Sequence, residues 1–169
     1  MDKSKGNAST GVVLQPSDYV HLHNHTHHSL LDGLTKIPDL VARVKELGME
    51  ACAITDHGTL SGAIDFYKAA KAAGIKPIIG IETYVAARSR HDRDPAKDKA
   101  RHHLVLLAMN HTGFQNIMKL STLANLEGMY YKPRVDHELL EQYNEGVIAL
   151  SACLGGEVSD PLQRDDYEG

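Results

Sequence analysis

Short apolar runs that suit buried strands alternate along this chain with amphipathic stretches that suit helices. Between Ile37 and Leu47, apolar residues recur every three or four positions and the pattern stops at Gly48, which predicts a helix. The run from Ala51 to Thr55 is short and apolar, which predicts a buried strand. Repetition of this alternation predicts an α/β fold with a mainly parallel sheet, either open or closed into a barrel.

The same signals divide the whole chain into elements. We predict strands at 19–25, 51–55, 78–85, 103–109 and 147–153, and helices at 37–47, 60–70, 114–124 and 136–143. Five strands are too few to close an eight-stranded barrel. Residues 88–101 carry six basic and three acidic side chains with almost nothing to bury, so we expect a solvated, mobile loop. Residues 1–17 are polar, and we expect a flexible leader before an ordered domain at 18–169.

Composition excludes several classes of protein. An apolar share of 42% over 169 residues suits one globular domain with a sizeable core. No run approaches the roughly 18 apolar residues of a membrane span, so we expect no membrane partner. Two distant cysteines make no disulfide framework and favour a reducing cytoplasm. A net charge of −4 argues against a broad basic surface for nucleic acid.

The unusual feature of the composition is histidine, with 11 residues, five of them between His21 and His28. In a strand, side chains alternate between faces, so His21, His23 and His25 would point to one side. Two neutral imidazoles two positions apart can reach one metal ion, such as zinc, iron, nickel or copper. A solvated histidine-rich turn without a fixed metal is the alternative explanation.

Other residue types that bind metals stand at predicted strand ends, where catalytic groups of βα folds typically lie. Asp56, His57 and Gly58 follow directly on a buried strand. Glu82 stands at the end of the apolar run 78–81, a costly position for a carboxylate without a partner. His103 opens the fourth strand, and Cys153 closes the fifth. Each also has a structural explanation: a core cysteine, a loop histidine or a salt-bridge glutamate.

Together the segments HLHNHTHHSLLDG, AITDHGTLSGAIDFYKAAKAAGIKPIIGIETYVA, HHLVLLA and ALSACLGGE resemble the polymerase and histidinol phosphatase (PHP) domain. They are most similar to the form at the N-terminus of bacterial replicative DNA polymerase III α subunits, and the similarity covers about residues 18 to 157. The resemblance implies a distorted, seven-stranded βα barrel. It also implies up to three divalent metal ions, zinc or manganese, at the C-terminal ends of the strands.

Residue by residue, the resemblance implies a set of metal ligands. These are His23, His25, Asp32, His57, Glu82, His103 and Cys153. His57 and Glu82 would also act in catalysis, with Glu82 able to bridge two ions. The family's late Asp-x-His motif has no counterpart after Cys153, so the chain resembles the first part of a PHP domain, with about five strands and an incomplete C-terminal side.

The activity implied by the resemblance is metal-dependent phosphoester hydrolysis. In the polymerase context it would act as a 3′→5′ proofreading exonuclease on the 3′ end of DNA, with the rest of the polymerase III holoenzyme as partner. Basic residues between Arg88 and Arg101 could contact phosphates, or could form a solvated loop. A non-catalytic module of the polymerase and a small-molecule phosphatase, acting for example on histidinol phosphate, remain alternatives. We expect the chain alone to be weakly active or inactive, and inclined to self-associate through unpaired strand edges.

Overall fold

The computed structural model describes residues 13–30 and 32–167, which contain six strands and five α-helices. The strands are β1 (Ala51–Ile54), β2 (Lys76–Ala86), β3 (Arg101–Ala108), β4 (Met129–Tyr130), β5 (Lys132–Val135) and β6 (Val147–Leu150). The helices are α1 (Ile37–Glu46), α2 (Ala63–Ala73), α3 (His111–Leu126), α4 (His137–Gln142) and α5 (Ser159–Leu162). Most of the predicted leader, residues 1–12, lies outside the described residues, and a 3₁₀ turn occupies Pro16–Asp18. None of the described helices is long and apolar enough to cross a membrane.

The helix predictions are confirmed, and the sequence explains why these helices form. The buried residues of α1 are Ile37, Val41 and Val44, spaced at three and four positions as the periodicity requires. They pack with Phe66 of α2 in a core cluster that also contains residues of β1. Gly74 ends α2 in the left-handed region at φ 78°, which glycine adopts without strain.

The long strand β2 organises the sheet. Its first half pairs in parallel with β1, and its last residues pair in parallel with β5. The strand β3 runs antiparallel to β2, and β6 runs antiparallel to β3. The sheet is therefore mixed, and the expectation of a mainly parallel sheet is wrong. The segment 87–100 between β2 and β3, described throughout, contains no helix, and a connection without a crossover gives antiparallel neighbours.

Three short elements were not predicted. The strands β4 and β5 form an antiparallel hairpin, and α5 is a single turn of four residues. Only two to four residues define each of them, which is too few for an apolar period to be recognised. The hairpin matters for the site, because β5 brings the chain back against the end of β2.

The two faces of β2 and β3 have different roles. One face carries buried apolar residues such as Ile81 and Leu106, which belong to a core cluster with residues of α3 and α4. On the opposite face, Tyr84 lies directly across the ladder from His103, and Glu82 lies two residues before Tyr84. Because partners across an antiparallel ladder project to the same side, these three polar side chains share one face.

The histidine-rich segment runs beside β1 without forming the expected continuous strand. The carbonyls of His21 and Asn24 accept hydrogen bonds from the N–H groups of Ala53 and Thr55. The three positions from His21 to Asn24 therefore lie opposite the two positions from Ala53 to Thr55, and this extra residue is the mark of a β-bulge. The regular alternation expected from His21 onward is lost, and the ring of His21 instead packs 4.8 Å from that of Tyr19.

The charged segment 87–100 is packed against β5 and α4, so the expected solvated loop is wrong. Arg134 of β5 is fully buried and donates hydrogen bonds to the carbonyls of Arg90, Asp92 and Asp98. Arg90 in turn forms an ion pair at 3.0 Å with Asp136, the residue that caps α4. We refer to this group as the arginine network: Arg88, Arg90, Arg134, Asp98, Glu127, Asp136 and Glu138.

Candidate metal centre

A single buried carboxylate lies at the centre of the candidate site. Glu82 is only 1% exposed and extends from the middle of β2. Its Oε2 contacts Nε2 of His23 and lies 3.0 Å from Nε2 of His25. Its Oε1 contacts Nδ1 of His103 and lies 3.5 Å from Nδ1 of His57. Each carboxylate oxygen therefore faces its own pair of imidazoles.

These contacts define two groups of three that could each hold a metal ion. One group is His23, His25 and Glu82, and the other is His57, Glu82 and His103, with the ligand atoms of each within 4.8 Å of one another. Glu82 belongs to both, as a carboxylate bridging two ions would.

The unpaired buried atoms and the ligand types of this cluster fit a divalent cation. Nδ1 of His57 and Oε1 of Glu82 are buried and make no hydrogen bond of normal geometry among the described residues, although Oε1 contacts Nδ1 of His103. Buried polar atoms are normally paired, so an ion between these two atoms would remove the deficit. Imidazole nitrogen and carboxylate oxygen are also the ligand types that zinc and manganese accept. The side chains present therefore fit the metals that the sequence resemblance implies.

Electrostatics keep the central carboxylate ionised. Burial would raise the pKa of Glu82, but hydrogen bonds from His25 and His23, together with the charge of nearby His103, lower that pKa to about 2. The hydrogen bond to Glu82 raises the pKa of His25, whereas burial lowers the pKa of His103. Metal binding would displace the protons that these imidazoles hold.

Two further predicted residues lie at the edge of the cluster. Oδ2 of Asp32 is 2.8 Å from Nε2 of His57, and the Asp32 side chain is 58% exposed. A carboxylate in this position orients a metal-binding imidazole from its far side. Sγ of Cys153 lies 3.5 Å from Nδ1 of His103, beyond a turn in which Ala152 takes the unusual φ of 62°. The structure thus brings all seven predicted positions together, and their role as metal ligands stays a prediction.

Asp56 holds the histidine-bearing loop in place through hydrogen bonds. This buried carboxylate accepts hydrogen bonds from the backbone N–H of Thr26 at 2.6 Å, from the Thr26 hydroxyl at 2.9 Å and from the Ser29 hydroxyl at 2.6 Å. The Ser29 hydroxyl oxygen also accepts a hydrogen bond from the N–H of His57 and lies 3.4 Å from Nδ1 of His25. Asp56 therefore fixes the loop relative to both histidines. The sequence drew attention to Asp56 by its place after a buried strand, but did not predict this supporting role.

An open cleft of about 760 Å³ gives access to one side of the cluster. The cleft is lined by Asp32, His57 and His103 and also by His27, His28, Tyr84, Arg101 and Lys132, among others. Sequence reasoning did not place Tyr84 or Lys132 at the site. For Tyr84 the signal was its position two residues after Glu82 on one strand, whereas Lys132 belongs to the hairpin that was not predicted.

Residues 21–169 match the model of the PHP domain family. The chain belongs to the PHP domain family. This confirms the resemblance drawn from the TDHG and GIKPIIGIE motifs, which contribute His57 and Glu82 to the cluster.

Close relatives of this PHP domain are polymerase subunits. DNA polymerase III subunit alpha of Aquifex aeolicus (strain VF5) is 57% identical over 145 residues, which are 82% of this chain and 12% of that protein. The same subunit of Borreliella burgdorferi is 51% identical over 153 residues, 90% of this chain and 13% of that protein. The chain therefore spans about an eighth of the length of these relatives. Among solved structures, an amidohydrolase from Chromobacterium violaceum superposes with a TM-score of 0.46 at 22% identity, over 63% of this chain and 33% of that one.

Proposed function

We propose that this PHP domain is a metal-dependent phosphoesterase acting on the 3′ end of DNA, with 3′→5′ exonuclease chemistry. The observation that carries the proposal is the sharing of Glu82 between two pairs of histidines. The polymerase III α relatives supply the context, in which DNA and the other components of the polymerase holoenzyme would be its partners.

The residues of the centre would form two metal-binding positions that share Glu82. His23 and His25 would hold one ion with Oε2 of Glu82, and His57 and His103 would hold another with Oε1. Zinc or manganese bound there would lower the pKa of a water molecule and neutralise phosphoryl oxygens. Glu82 stays ionised at neutral pH and fixes the spacing of the two positions.

The remaining predicted residues would complete the surroundings. Asp32 and Cys153 would be further metal ligands, as the resemblance implies, and they lie 2.8 Å from Nε2 of His57 and 3.5 Å from Nδ1 of His103, respectively. The cleft beside His57 leaves room for the scissile phosphate and for the leaving nucleotide.

Metal content and hydrolysis test the proposal together. The 169-residue chain is loaded with Zn²⁺ or Mn²⁺, dialysed and analysed for metal, and then assayed with bis(p-nitrophenyl) phosphate and a 5′-labelled single-stranded oligonucleotide. We expect tightly held metal and weak, chelator-sensitive hydrolysis. In Glu82→Gln the hydrolysis should be lost and the metal affinity reduced ~100-fold, because a bridging anion is lost. A chain extended through the family's Asp-x-His motif is assayed beside it. Glu141→Gln, an exposed change on α4, is the matched control.

The other results separate the alternatives. Stoichiometric metal without hydrolysis of either substrate, in this chain and in the extended one, would assign the centre to a non-catalytic module. Faster hydrolysis of histidinol phosphate than of DNA would favour a small-molecule phosphatase. A chain that retains no metal would reject the centre itself.

A further inference from the structure

Two cations lie against one aromatic ring in the cleft. The guanidinium carbon of Arg101 and Nζ of Lys132 are each 5.6 Å from the centre of the Tyr84 ring, so their charges are at most twice that distance apart. The Tyr84 ring itself lies 5.2 Å from the ring of His103 and 6.2 Å from that of His57. The two cations therefore stand beside the candidate metal centre.

Neither cation is neutralised within the part of the chain that the structure describes. No ion pair joins Arg101 or Lys132 to a described carboxylate, in contrast to Arg88 and Arg90. Nη1 of Arg101 donates to the carbonyl of Lys99 at 3.2 Å, but its Nε is buried and has no partner. Attraction to the ring offsets part of the repulsion between the two charges, yet the buried donor still lacks an acceptor. An anion in the cleft would neutralise the two cations and accept a hydrogen bond from Nε of Arg101.

The fold, and not chance placement of long side chains, sets this arrangement. Arg101 is the first residue of β3 and follows directly on the segment that Arg134 holds through its carbonyls. Lys132 opens β5 after Tyr131, which takes φ 60°, a conformation costing about 1–2 kcal/mol for a residue other than glycine. The parallel pairing of Tyr84 with Arg134 brings Lys132 to the Tyr84 ring, and the antiparallel pairing of Ala86 with Arg101 brings the second cation to it.

We propose that Arg101, Lys132 and the Tyr84 ring form an anchor for the phosphodiester backbone of the bound DNA strand. The anchor would bind a phosphate neighbouring the one that is hydrolysed, and this inference rests on the proposed function. Guanidinium offers several donors in a plane that matches phosphate oxygens, and lysine adds a point charge. Both are positioning residues, which hold the strand so that its 3′ end reaches Glu82.

A binding experiment without metal tests the anchor separately from hydrolysis. Fluorescence anisotropy with a 5′-fluorescein-labelled twelve-nucleotide oligo(dT) is measured in EDTA for Arg101→Gln and Lys132→Met. Each variant should weaken binding about five- to tenfold and reduce the slope of log Kd against log salt by about 0.7, the value for one phosphate contact on a single strand. Lys119→Met is the matched control, because Lys119 also lies over a tyrosine ring, that of Tyr143, but outside the cleft.

A kinetic experiment then separates an anchor from a structural role. With metal, each variant should raise KM for the oligonucleotide about tenfold with little change in kcat, because backbone contacts contribute mainly to substrate binding. The loss in kcat/KM for bis(p-nitrophenyl) phosphate, which has no neighbouring phosphate, should be at least fivefold smaller.

Three results would overturn the anchor. They are unchanged oligonucleotide binding in both variants, equal losses on both substrates, and a wild-type chain that does not bind the oligonucleotide. Wild type that binds the oligonucleotide but hydrolyses neither substrate would instead reject the proposed function and leave the anchor standing.

Discussion

The arginine network and the metal centre both contain buried carboxylates, but only in the network do these carboxylates have permanent counter-charges. Arg90 contacts three carboxylates at 2.7–3.0 Å, and Arg88 donates from two nitrogens to the two oxygens of Asp98. In the metal centre a single carboxylate, Glu82, faces four imidazoles and no permanent cation. Oε1 of Glu82 also makes no hydrogen bond of normal geometry among the described residues.

The pKa values reflect the same difference. Burial would raise the pKa of Asp136, but hydrogen bonds from Arg90 and from the backbone of Leu139 lower it. Asp136 therefore has a permanent counter-charge, which makes its role structural. The partners of Glu82 are histidines, whose charge depends on protons that a metal can replace. A buried cluster that is complete in itself supports the fold, whereas an incomplete one is suited to receive a ligand.

The largest effect on stability should come from breaking the complete cluster. Arg90→Ala leaves Asp136 buried without its cation, and loss of one partner from a buried pair costs about 3–5 kcal/mol. Urea unfolding monitored by circular dichroism measures the change. Arg43→Ala is the matched control, because the Arg43–Glu46 pair is exposed and should contribute less than about 0.5 kcal/mol. Equal losses in the two variants would show that the network does not hold the segment 87–100.

The sequence predicts the metal centre better than the network, for a physical reason. The histidines and Glu82 stand in short motifs at strand ends, so local spacing and family resemblance are enough to identify them. Arg90 and Asp136 are 46 positions apart, and nothing local joins the charged segment 88–101 to the helix predicted at 136–143, so the charges around Arg90 indicated a solvated loop. A charged segment reveals its burial only when the partner strand is known.

Even at the centre, sequence predicts which residues meet but not how they meet. The assignment of one histidine pair to each oxygen of Glu82 depends on the bulge after His21 and on the register that sets Tyr84 opposite His103. Neither feature has a local signature. The support given by Asp56 was missed for the same reason, since its partners lie 27 to 30 positions away.

The next effect in size concerns the incomplete cluster, which metal should stabilise. At a free metal concentration about ten times Kd, each ion bound only to the folded chain adds about 1.4 kcal/mol, or about 2.8 kcal/mol for two ions. Thermal unfolding with Zn²⁺ or Mn²⁺ against EDTA measures this change, and Glu82→Gln should abolish most of it. Arg90→Ala should lower the stability of both forms while leaving the metal-induced increase intact, because the two clusters share no residue.

The pH dependence of the stability difference between the metal-free and the metal-loaded chain follows from the three shifted groups of the centre. Burial lowers the pKa of His103 below 6.5, so the stability that its protonation costs is regained as pH rises and is complete by pH 6.5. The pKa of His25 is raised above 6.5, so its stabilisation is present below that pH and is lost as pH rises through the folded value. The pKa of Glu82 is lowered from 4.5 to about 2, so its stabilisation is present above pH 4.5 and is lost as pH falls. The metal-free chain should lose stability as pH rises above 6.5 through the folded pKa of His25, where the loaded chain gains it because protons no longer compete. Parallel curves for the two forms would contradict this prediction.

The smallest effect should come from histidines that lie near the centre but outside it. The rings of His27 and His28 pack on each other at 4.4 Å, and neither contacts Glu82. The double variant His27→Ala with His28→Ala should keep its full metal content and change stability by less than about 0.5 kcal/mol. His25→Ala, two positions earlier, should lower metal content because it removes a nitrogen 3.0 Å from Oε2 of Glu82. Equal metal loss in both variants, measured by elemental analysis, would mean that the histidine-rich loop binds metal through its composition and not through the geometry around Glu82.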